Sequence, residues 1–286
     1  MISALNRLPN GNIELTITIP WKKVKTAYEK VLDKVVKETE IKGFRKGKAP
    51  KKLVEEKLNK ATLYEEVLKI LVPEVYTQAV KEHKIRPIFP PQLKLISAQD
   101  GKDWQIQATT CEPPEVKLGK YKEEIKGAFA AQKIWVLGKN KKQKENKATE
   151  EEKLGKIFKT LLETCQLQIP EILIEDEVKR MLARLIDQTA KLGLTVEEYL
   201  TSQNKTVDQI RAAYRQQAEE LLRLEFILSA IADEQKIQVT DKEVEEMIRT
   251  VPDEKTRKEL QTFEQKLYLR HLLRKRRVID NLTSLV

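Results

Sequence analysis

The sequence predicts an α+β domain followed by an all-α domain. Apolar and polar residues alternate between Ile13 and Ile19, which is the period-two pattern of a strand with one buried face. Helical stretches and two further strand patterns follow before Cys111, so this part of the chain mixes both element types. From Thr149 onward, apolar residues recur at spacings of three and four almost throughout, which is typical of packed helices.

The composition bounds the class of protein. The chain has 286 residues, which favours two domains, and 34% of its residues are charged. The formal net charge of +10 favours an anionic partner, with nucleic acid ahead of a membrane surface. No apolar stretch approaches the length of a membrane span, and the N-terminus lacks the pattern of a secretory signal. We therefore expect a cytoplasmic protein without a membrane partner.

The first domain continues from its strand into helices. Pro20 ends the strand, and from Trp21 the apolar spacing changes to three and four. This spacing predicts an amphipathic helix of about 20 residues. A short helix is expected to start near Pro50 and to bury Leu53 together with Val54 and Leu58. A longer helix is expected after residue 62.

Two more strands complete the first domain. Three prolines between residues 86 and 91 exclude both a helix and a central strand there. Residues 93–97 and 104–110 have strand patterns, and Asp100-Gly101 predicts the turn between them. We place the domain at residues 1–114.

Residues 115–148 are predicted to be a linker. Residues 139–147 contain five lysines and one glutamate without an aromatic residue. Such runs are more often flexible spacers than nucleic-acid patches. The apolar residues 129–137, which include Trp135, fit either a short strand or a segment packed against the next domain. The pattern leaves both open.

The second domain is placed at residues 149–286 and should be helical. Thr149 precedes three glutamates, and Thr240 precedes Glu243 by three residues; both arrangements are typical of helix N-termini. One helix should stop near Gly193, a long one should cover 207–233, and the last should run from about 254 to the end of the apolar pattern. The basic cluster 274–277 is interpreted as complementing the dipole of that last helix.

The sequence indicates neither catalysis nor a metal site. Cys111 and Cys165 form no CxxC pattern, and His83 and His271 have no neighbouring ligand spacing. Glycine-rich phosphate loops, HExxH and GxSxG are absent from the sequence. We expect no enzyme, no cofactor and no metal.

The most informative stretch is residues 42–52, which carries six basic side chains and no acidic one. Gly43 and Gly47 permit close backbone approach, and Arg45 offers a planar fork for phosphate or carboxylate while Lys46 adds a point charge. The stretch is therefore predicted to be an anion-contacting tip between two helices.

At this stretch the sequence resembles the trigger factor family of bacterial ribosome-associated chaperones. The family signature reads Gly-Phe-Arg, any residue, Gly, two residues, Pro. The resemblance continues in residues 169–185 and 237–248, and so covers nearly the whole chain apart from its middle. The matching residues, which the resemblance implies to be ribosome-binding, are Gly43, Phe44, Arg45, Lys46, Gly47 and Pro50.

The resemblance implies a chaperone that needs no ATP. It would dock on the large ribosomal subunit near the exit tunnel, contact protein and RNA there, and hold nascent or unfolded polypeptides with its helical half. Family members carry an FKBP-like prolyl isomerase domain in the middle. The segment 115–150 is far too short for such a domain, so we expect no isomerase activity.

Alternatives remain at this stage. Phe44 is either a docking residue, which the resemblance favours, or a core residue folded back onto the helices. The whole chain is alternatively a basic nucleic-acid-binding protein, or a holdase without ribosome contact. A homodimer off the ribosome is possible. The client-binding residues stay unknown, because a core stripe and a client-facing stripe look identical in sequence.

Overall fold

The computed structural model describes residues 2–38, 44, 50, 51, 53, 60–135 and 150–286, with the backbone alone for 131–135. Contacts divide the chain into two compact units. The first comprises Met1–Pro113 with Pro170–Ile172, and the second comprises Pro114–Ile169 with Leu173–Val286. Contacts do not establish which parts fold independently, so the domain boundaries at 114 and 149 stay a prediction.

The first unit contains a four-stranded antiparallel sheet in the order β1-β2-β4-β3. The central strand β2 (Asn12–Ile19) is the one expected from the alternating pattern, and its four isoleucine and leucine side chains are all buried. It pairs with β1 (Ile2–Arg7) on one side and β4 (Trp104–Cys111) on the other, while β3 (Gln92–Ser97) forms the far edge. Gly101 has φ +77° in the predicted turn.

The sequence prediction missed strand β1. Its outer residues are largely exposed, and the Ile2 side chain is 74% exposed. An edge strand buries little of either face, so its sequence lacks the strict alternation that identifies a half-buried strand. Pairing with β2, from Ile2 opposite Thr18 to Arg7 opposite Ile13, is what defines it.

Two long helices pack on one face of the sheet. Helix α1 (Trp21–Glu38) and helix α2 (Lys60–Glu82) agree with the expected amphipathic stretches. Their buried residues meet the inward side chains of β2 and β4 in one core. Fully burying a side chain of this size contributes about 1.5–3 kcal/mol. The residues that the helices contribute to this core are Val24, Ala27, Val31, Leu32, Val36, Leu63, Val67, Leu71, Val75 and Ala79.

The second unit is helical in the part of the chain that the structure describes. Lys117 lies before the first helix of this unit and Gln166 lies after its second helix. These two residues form an isolated antiparallel bridge. The helices are α3 (Tyr121–Trp135), α4 (Glu150–Thr164), α5 (Glu171–Lys191, whose first two residues belong to the first unit), α6 (Val196–Ser202), α7 (Val207–Glu234), α8 (Asp241–Arg249), α9 (Glu254–Glu259) and α10 (Phe263–Thr283).

Helix α3 lies within residues 115–148, the stretch predicted to be a linker, whose bounds stay a prediction. Tyr121 and Ile125 are buried with residues of α4, α7 and α10 in the main core of the second unit. The described residues from 121 to 135 are therefore helical and not a strand, and the packing of Phe129 against this core agrees with the alternative of a segment packed against the next domain. The sequence does not predict this helix, because its few apolar residues form no clear helical period. They can be recognised as core residues only when the three helices that bury them are known. Residues 136–149, with the lysine-rich run, lie outside the described residues.

Helix boundaries in this unit follow side-chain caps. The Thr240 N–H and hydroxyl both donate to the Glu243 carboxylate, at 2.8 and 3.0 Å, which is half of the predicted capping arrangement. The single helix predicted from residue 254 is wrong. A new helix begins after Thr262, whose hydroxyl accepts from the Gln265 N–H at 3.4 Å, so the chain is divided into α9 and α10.

Candidate functional site

The predicted anion-contacting tip lies between α1 and α2, and contacts inside the first unit fix both helices. The backbone N–H at the start of α1, on Trp21, donates to the Asp103 carboxylate at 2.8 Å. Lys23 of α1 pairs with Glu74 of α2 at 2.9 Å. Both acids are exposed, so each contact orients the helices more than it stabilises them.

An aromatic cluster joins the two helices to the sheet. The Tyr28 and Tyr64 rings meet edge to face with centroids 5.9 Å apart, and the Tyr64 and Trp104 rings do so at 5.0 Å. Trp104 is fully buried, and its indole N–H donates to the Gln99 carbonyl at 3.3 Å. Edge-to-face pairs add about 0.5–1.5 kcal/mol beyond their buried area. The cluster therefore holds α1, α2 and β4 against one another.

Only part of the predicted site falls within the described residues. Gly43, Arg45, Lys46 and Gly47 lie outside them. The Phe44 side chain is 41% exposed, so in the structure it is not a core residue folded back onto the helices.

Pro50 lies where a helix begins. Its carbonyl accepts the Leu53 N–H at 3.0 Å, and Lys51 is already helical. The prediction that Leu53 is buried is wrong, because that side chain is 37% exposed. Val54 and Leu58, which were expected to share its burial, lie outside the described residues.

One cation of the tip has an acidic partner. The Lys51 ammonium pairs with the Asp33 carboxylate on α1, and both side chains are about half exposed. Exposed pairs of this kind are worth about 0–1 kcal/mol, so the pair leaves Lys51 available to a stronger anion.

Arg7, Arg86 and Glu112 form a clamp elsewhere in the first unit. The Glu112 carboxylate accepts from the Arg7 guanidinium at 2.6 Å and from the Arg86 N–H at 2.8 Å. Burial raises the pKa of Glu112, but these hydrogen bonds and the two positive charges outweigh burial and leave the pKa below its ordinary value.

The second unit carries exposed apolar side chains that sequence reasoning could not distinguish from core residues. Large apolar side chains are exposed on several of its helices, and Phe263 at the start of α10 is 78% exposed. Exposed apolar groups flanked by charge suit weak binding to many partners. The exposed apolar residues of this unit, here called the apolar surface residues, are Ile186, Leu192, Leu194, Val207, Leu221, Phe263, Tyr268 and Leu272.

The basic cluster at 274–277 makes specific contacts, which the dipole interpretation did not anticipate. Three of its four side chains bind α7, the segment after it or α8, because α10 crosses these elements. Arg276 is the exposed member. The contacts are Arg274 with the Asp233 carboxylate (2.5 Å) and the Ile237 carbonyl (2.9 Å), Lys275 with Glu225 (2.5 Å), and Arg277 with Glu243 and the Gln238 carbonyl.

The side chains considered for chemistry do not meet. Cys111 and Cys165 are both buried, in different units, and burial raises the pKa of each thiol to about 11. Such thiols stay protonated near neutral pH and are poor nucleophiles. Among the described residues, no group of three or more His, Cys, Asp or Glu side chains is placed to hold a metal ion.

Ser3, Glu82 and His83 lie together at the surface of the first unit. The Ser3 hydroxyl donates to the Glu82 carboxylate at 2.8 Å and lies 3.0 Å from the His83 Nε2 atom. In a hydrolase triad the acid orients the histidine, whereas here the acid accepts from the serine. The contact ties β1 to the end of α2.

In the described part of the chain, no helix is both long and apolar enough to span a membrane.

Comparison with solved structures shows the fold. A structure described as the trigger factor chaperone, with promiscuous substrate recognition in folding and assembly, superposes with a TM-score of 0.70. The match covers 99% of both chains at 13% sequence identity.

Curated relatives match over a shorter part of the chain. Trigger factor from Natranaerobius thermophilus is 38% identical over 122 residues, which is 43% of this chain and 27% of that protein. Trigger factor from Staphylococcus carnosus is 42% identical over 108 residues, which is 38% of this chain and 24% of that protein. The matched part thus spans about a quarter of the length of these relatives.

Two family models account for nearly all of the sequence. Residues 1–134 match the model of the bacterial trigger factor protein, and residues 136–284 match the model of its C-terminus. The two matches almost abut, so the chain lacks the isomerase region in the middle. With both halves matched in the expected order, this chain belongs to the trigger factor family.

Proposed function

We propose that this protein is an ATP-independent chaperone that docks on the large ribosomal subunit near the exit tunnel and holds nascent or unfolded polypeptides. The observation that carries the proposal is the match of both halves of the chain to the trigger factor models. The fold, shared with a trigger factor structure over 99% of both chains, supports the same function.

Docking is assigned to the stretch from Gly43 to Pro50. Ribosome surfaces present phosphates and acidic side chains, and Arg45 and Lys46 offer a fork and a point charge for them. The exposed Phe44 supports a role in filling an apolar pocket of the partner.

Client binding is assigned to the apolar surface residues of the second unit. Unfolded polypeptides expose apolar side chains of many shapes, which separate apolar groups can contact without demanding one sequence. A quadruple Ser variant at Ile186, Leu192, Leu194 and Val207 should lose most of its ability to suppress aggregation of a refolding model protein, while its thermal unfolding stays unchanged.

Prolyl isomerase activity should be absent. The family models leave one residue between them, which is no room for a catalytic domain. Refolding limited by a proline isomerisation takes about 10–100 s at 25 °C. This chain at catalytic concentration should leave that rate unchanged, whereas acceleration would contradict this part of the proposal.

Ribosome co-sedimentation tests docking. The triple variant Phe44→Ala, Arg45→Ala, Lys46→Ala should lose co-sedimentation with purified large subunits while keeping its circular dichroism spectrum. The matched control is Ile88→Ala, Lys81→Ala, Lys94→Ala, which removes one exposed apolar and two basic side chains from the same unit. The control should bind as the unchanged chain does. Undiminished binding by the Phe44 triple variant would refute docking through this segment.

Nucleic-acid binding is the alternative favoured by the net charge of +10. It predicts tight binding to free RNA, with a salt slope of about −0.7 per phosphate neutralised on a single strand. The intramolecular contacts of Arg274, Lys275 and Arg277 speak against it. Steep, tight RNA binding that survives the Phe44 triple variant would favour it.

A holdase without ribosome contact would suppress aggregation but fail to sediment with ribosomes. The aggregation assay and the ribosome co-sedimentation assay described above measure these two outcomes.

A homodimer off the ribosome is a further prediction, which sedimentation velocity across a concentration series would test.

A further inference from the structure

A cationic cavity lies inside the second unit, between α8, α9 and the start of α10. Its volume is about 370 Å³, which falls in the range of sites for small ligands. The buried side chain of Ile248 contributes to its lining. This cavity, here called the cation cavity, is lined by Glu245, Ile248, Arg249, Arg257, Gln261 and Lys266.

The charges that line the cation cavity are unbalanced. Arg249, Arg257 and Lys266 are cations, and Glu245 is the one acid among the six lining residues. The Lys266 ammonium lies 3.4 Å from the Glu245 carboxylate, so these two opposite charges form an ion pair. The two arginines then remain, and they supply the positive charge of the cavity.

Arg257 is held in place without being neutralised. Its Nε and Nη2 atoms donate to the Val251 carbonyl at 3.2 and 2.9 Å, and a carbonyl carries no formal charge. Arg257 interacts electrostatically with Asp253, whose carboxylate accepts hydrogen bonds from the Thr256 N–H and hydroxyl. A guanidinium has five N–H donors, so Arg257 retains donors for a ligand.

Arg249 is exposed at the end of α8. Within the described part of the chain, no carboxylate lies in ion-pair distance of it, whereas the partly buried Arg270, Arg274 and Arg277 of α10 each have such a partner. Two arginines that line one cavity can both donate hydrogen bonds to the same oxyanion.

We propose that the cation cavity binds the phosphate group of a small phosphate ester. The two guanidinium groups together carry two positive charges, which match the charge of a phosphate dianion, and the amide of Gln261 lines the same cavity. The cavity is concave and limited in volume, which favours a small molecule over the backbone of RNA. This proposal is independent of the proposed chaperone function.

Isothermal titration at constant ionic strength tests the site. The full chain is titrated with inorganic phosphate, with a nucleoside monophosphate and with a short single-stranded RNA. The proposal expects saturable binding of one monophosphate per chain, and about tenfold weaker binding by Arg249→Ala, which corresponds to about 1.4 kcal/mol. Lys266→Gln, which disturbs the ion pair beside the arginines, should change the affinity less.

Arg276→Ala is the matched control, since Arg276 is an exposed arginine of the same unit outside the cavity. It should bind the monophosphate as tightly as the unchanged chain. Three outcomes would overturn the proposal: no saturable binding, equal weakening by Arg249→Ala and Arg276→Ala, or binding of the RNA alone. If inorganic phosphate competes with the monophosphate, the shared phosphate group is the part recognised.

Discussion

The Nη2 atom of Arg223, on α7, lies 2.7 Å from the carbonyl oxygen of Leu162, in the last turn of α4. The same nitrogen is 3.4 Å from the Cys165 carbonyl just beyond that helix. The last carbonyls of a helix have no partner within it. Arg223 therefore caps α4 from a different helix, at a place where water has little access.

Replacing Arg223 with Met should destabilise the protein. Hydrogen bonds from charged groups contribute about 1.5–3 kcal/mol, and methionine keeps the apolar stem while removing the donors. We expect a loss of about 2 kcal/mol in the free energy of unfolding, measured by urea denaturation. Arg276→Met, at an exposed arginine, should change it by less than about 0.5 kcal/mol. Equal losses in the two variants would show that Arg223 is no cap.

Gly155→Ala should stabilise the protein. Gly155 lies inside α4, and a Cβ atom added there would meet nothing within 4 Å. Glycine within a helix is destabilising by about 0.5–1 kcal/mol relative to alanine, because it loses more conformational freedom on folding. The gain should appear as a higher urea midpoint with an unchanged slope.

The same substitution at Gly11 should have the opposite sign. Gly11 has φ +79°, and an added Cβ atom would lie 3.1 Å from the Pro170 Cα atom within the first unit. The left-handed conformation alone costs a residue with a Cβ atom about 1–2 kcal/mol. Gly11→Ala should therefore lower the free energy of unfolding by at least that amount. A stabilised Gly11→Ala variant would exclude this conformation.

Glu112→Gln should destabilise the first unit in a pH-dependent manner. Burial raises the pKa of Glu112, but the hydrogen bonds from Arg86 and Arg7 outweigh it, so the pKa in the folded state is lower than its ordinary value of 4.5. A lowered pKa means that the folded state prefers the charged carboxylate. This stabilisation is fully present above the ordinary pKa and is lost as the pH falls through the folded-state pKa.

The measurement compares the unfolding free energies of the unchanged chain and Glu112→Gln between about pH 7 and pH 3. The difference should be about 1 kcal/mol near neutral pH, as for a partly exposed charged hydrogen bond, and should shrink below the ordinary pKa of the carboxyl. A difference that stays constant across this range would mean that the charge of Glu112 contributes nothing.

The elements that the sequence predicted best have one buried face and a regular period. The alternation from Ile13 to Ile19 identified β2, and the spacing from Trp21 identified α1, because burial of one face leaves a repeating pattern. Strand β1 and helix α3 left no such pattern. An edge strand needs a partner to be recognised, and α3 needs the three helices that surround Tyr121 and Ile125.

The candidate site divides in the same way. A local motif of eight residues, from Gly43 to Pro50, is readable without a fold, because its spacing alone carries the family signature. The apolar surface residues and the cation cavity are not readable. Exposed and buried leucines cannot be distinguished by the apolar spacing of a helix. The cations of the cavity cannot be grouped from the sequence either, because Arg249, Arg257 and Lys266 lie on three different helices.

By itself, the sequence determined three features: the division into an α+β part and a helical part, the regular apolar spacing of β2 and α1, and the family signature. Each of these depends on residues that are near neighbours along the chain. The tertiary structure alone decided which cations are engaged. Arg274 and Arg277 bind residues more than thirty positions away, while Arg276 between them remains exposed. The physical reason is that burial and ion pairing depend on which helices cross, and crossing brings together residues that the sequence keeps far apart.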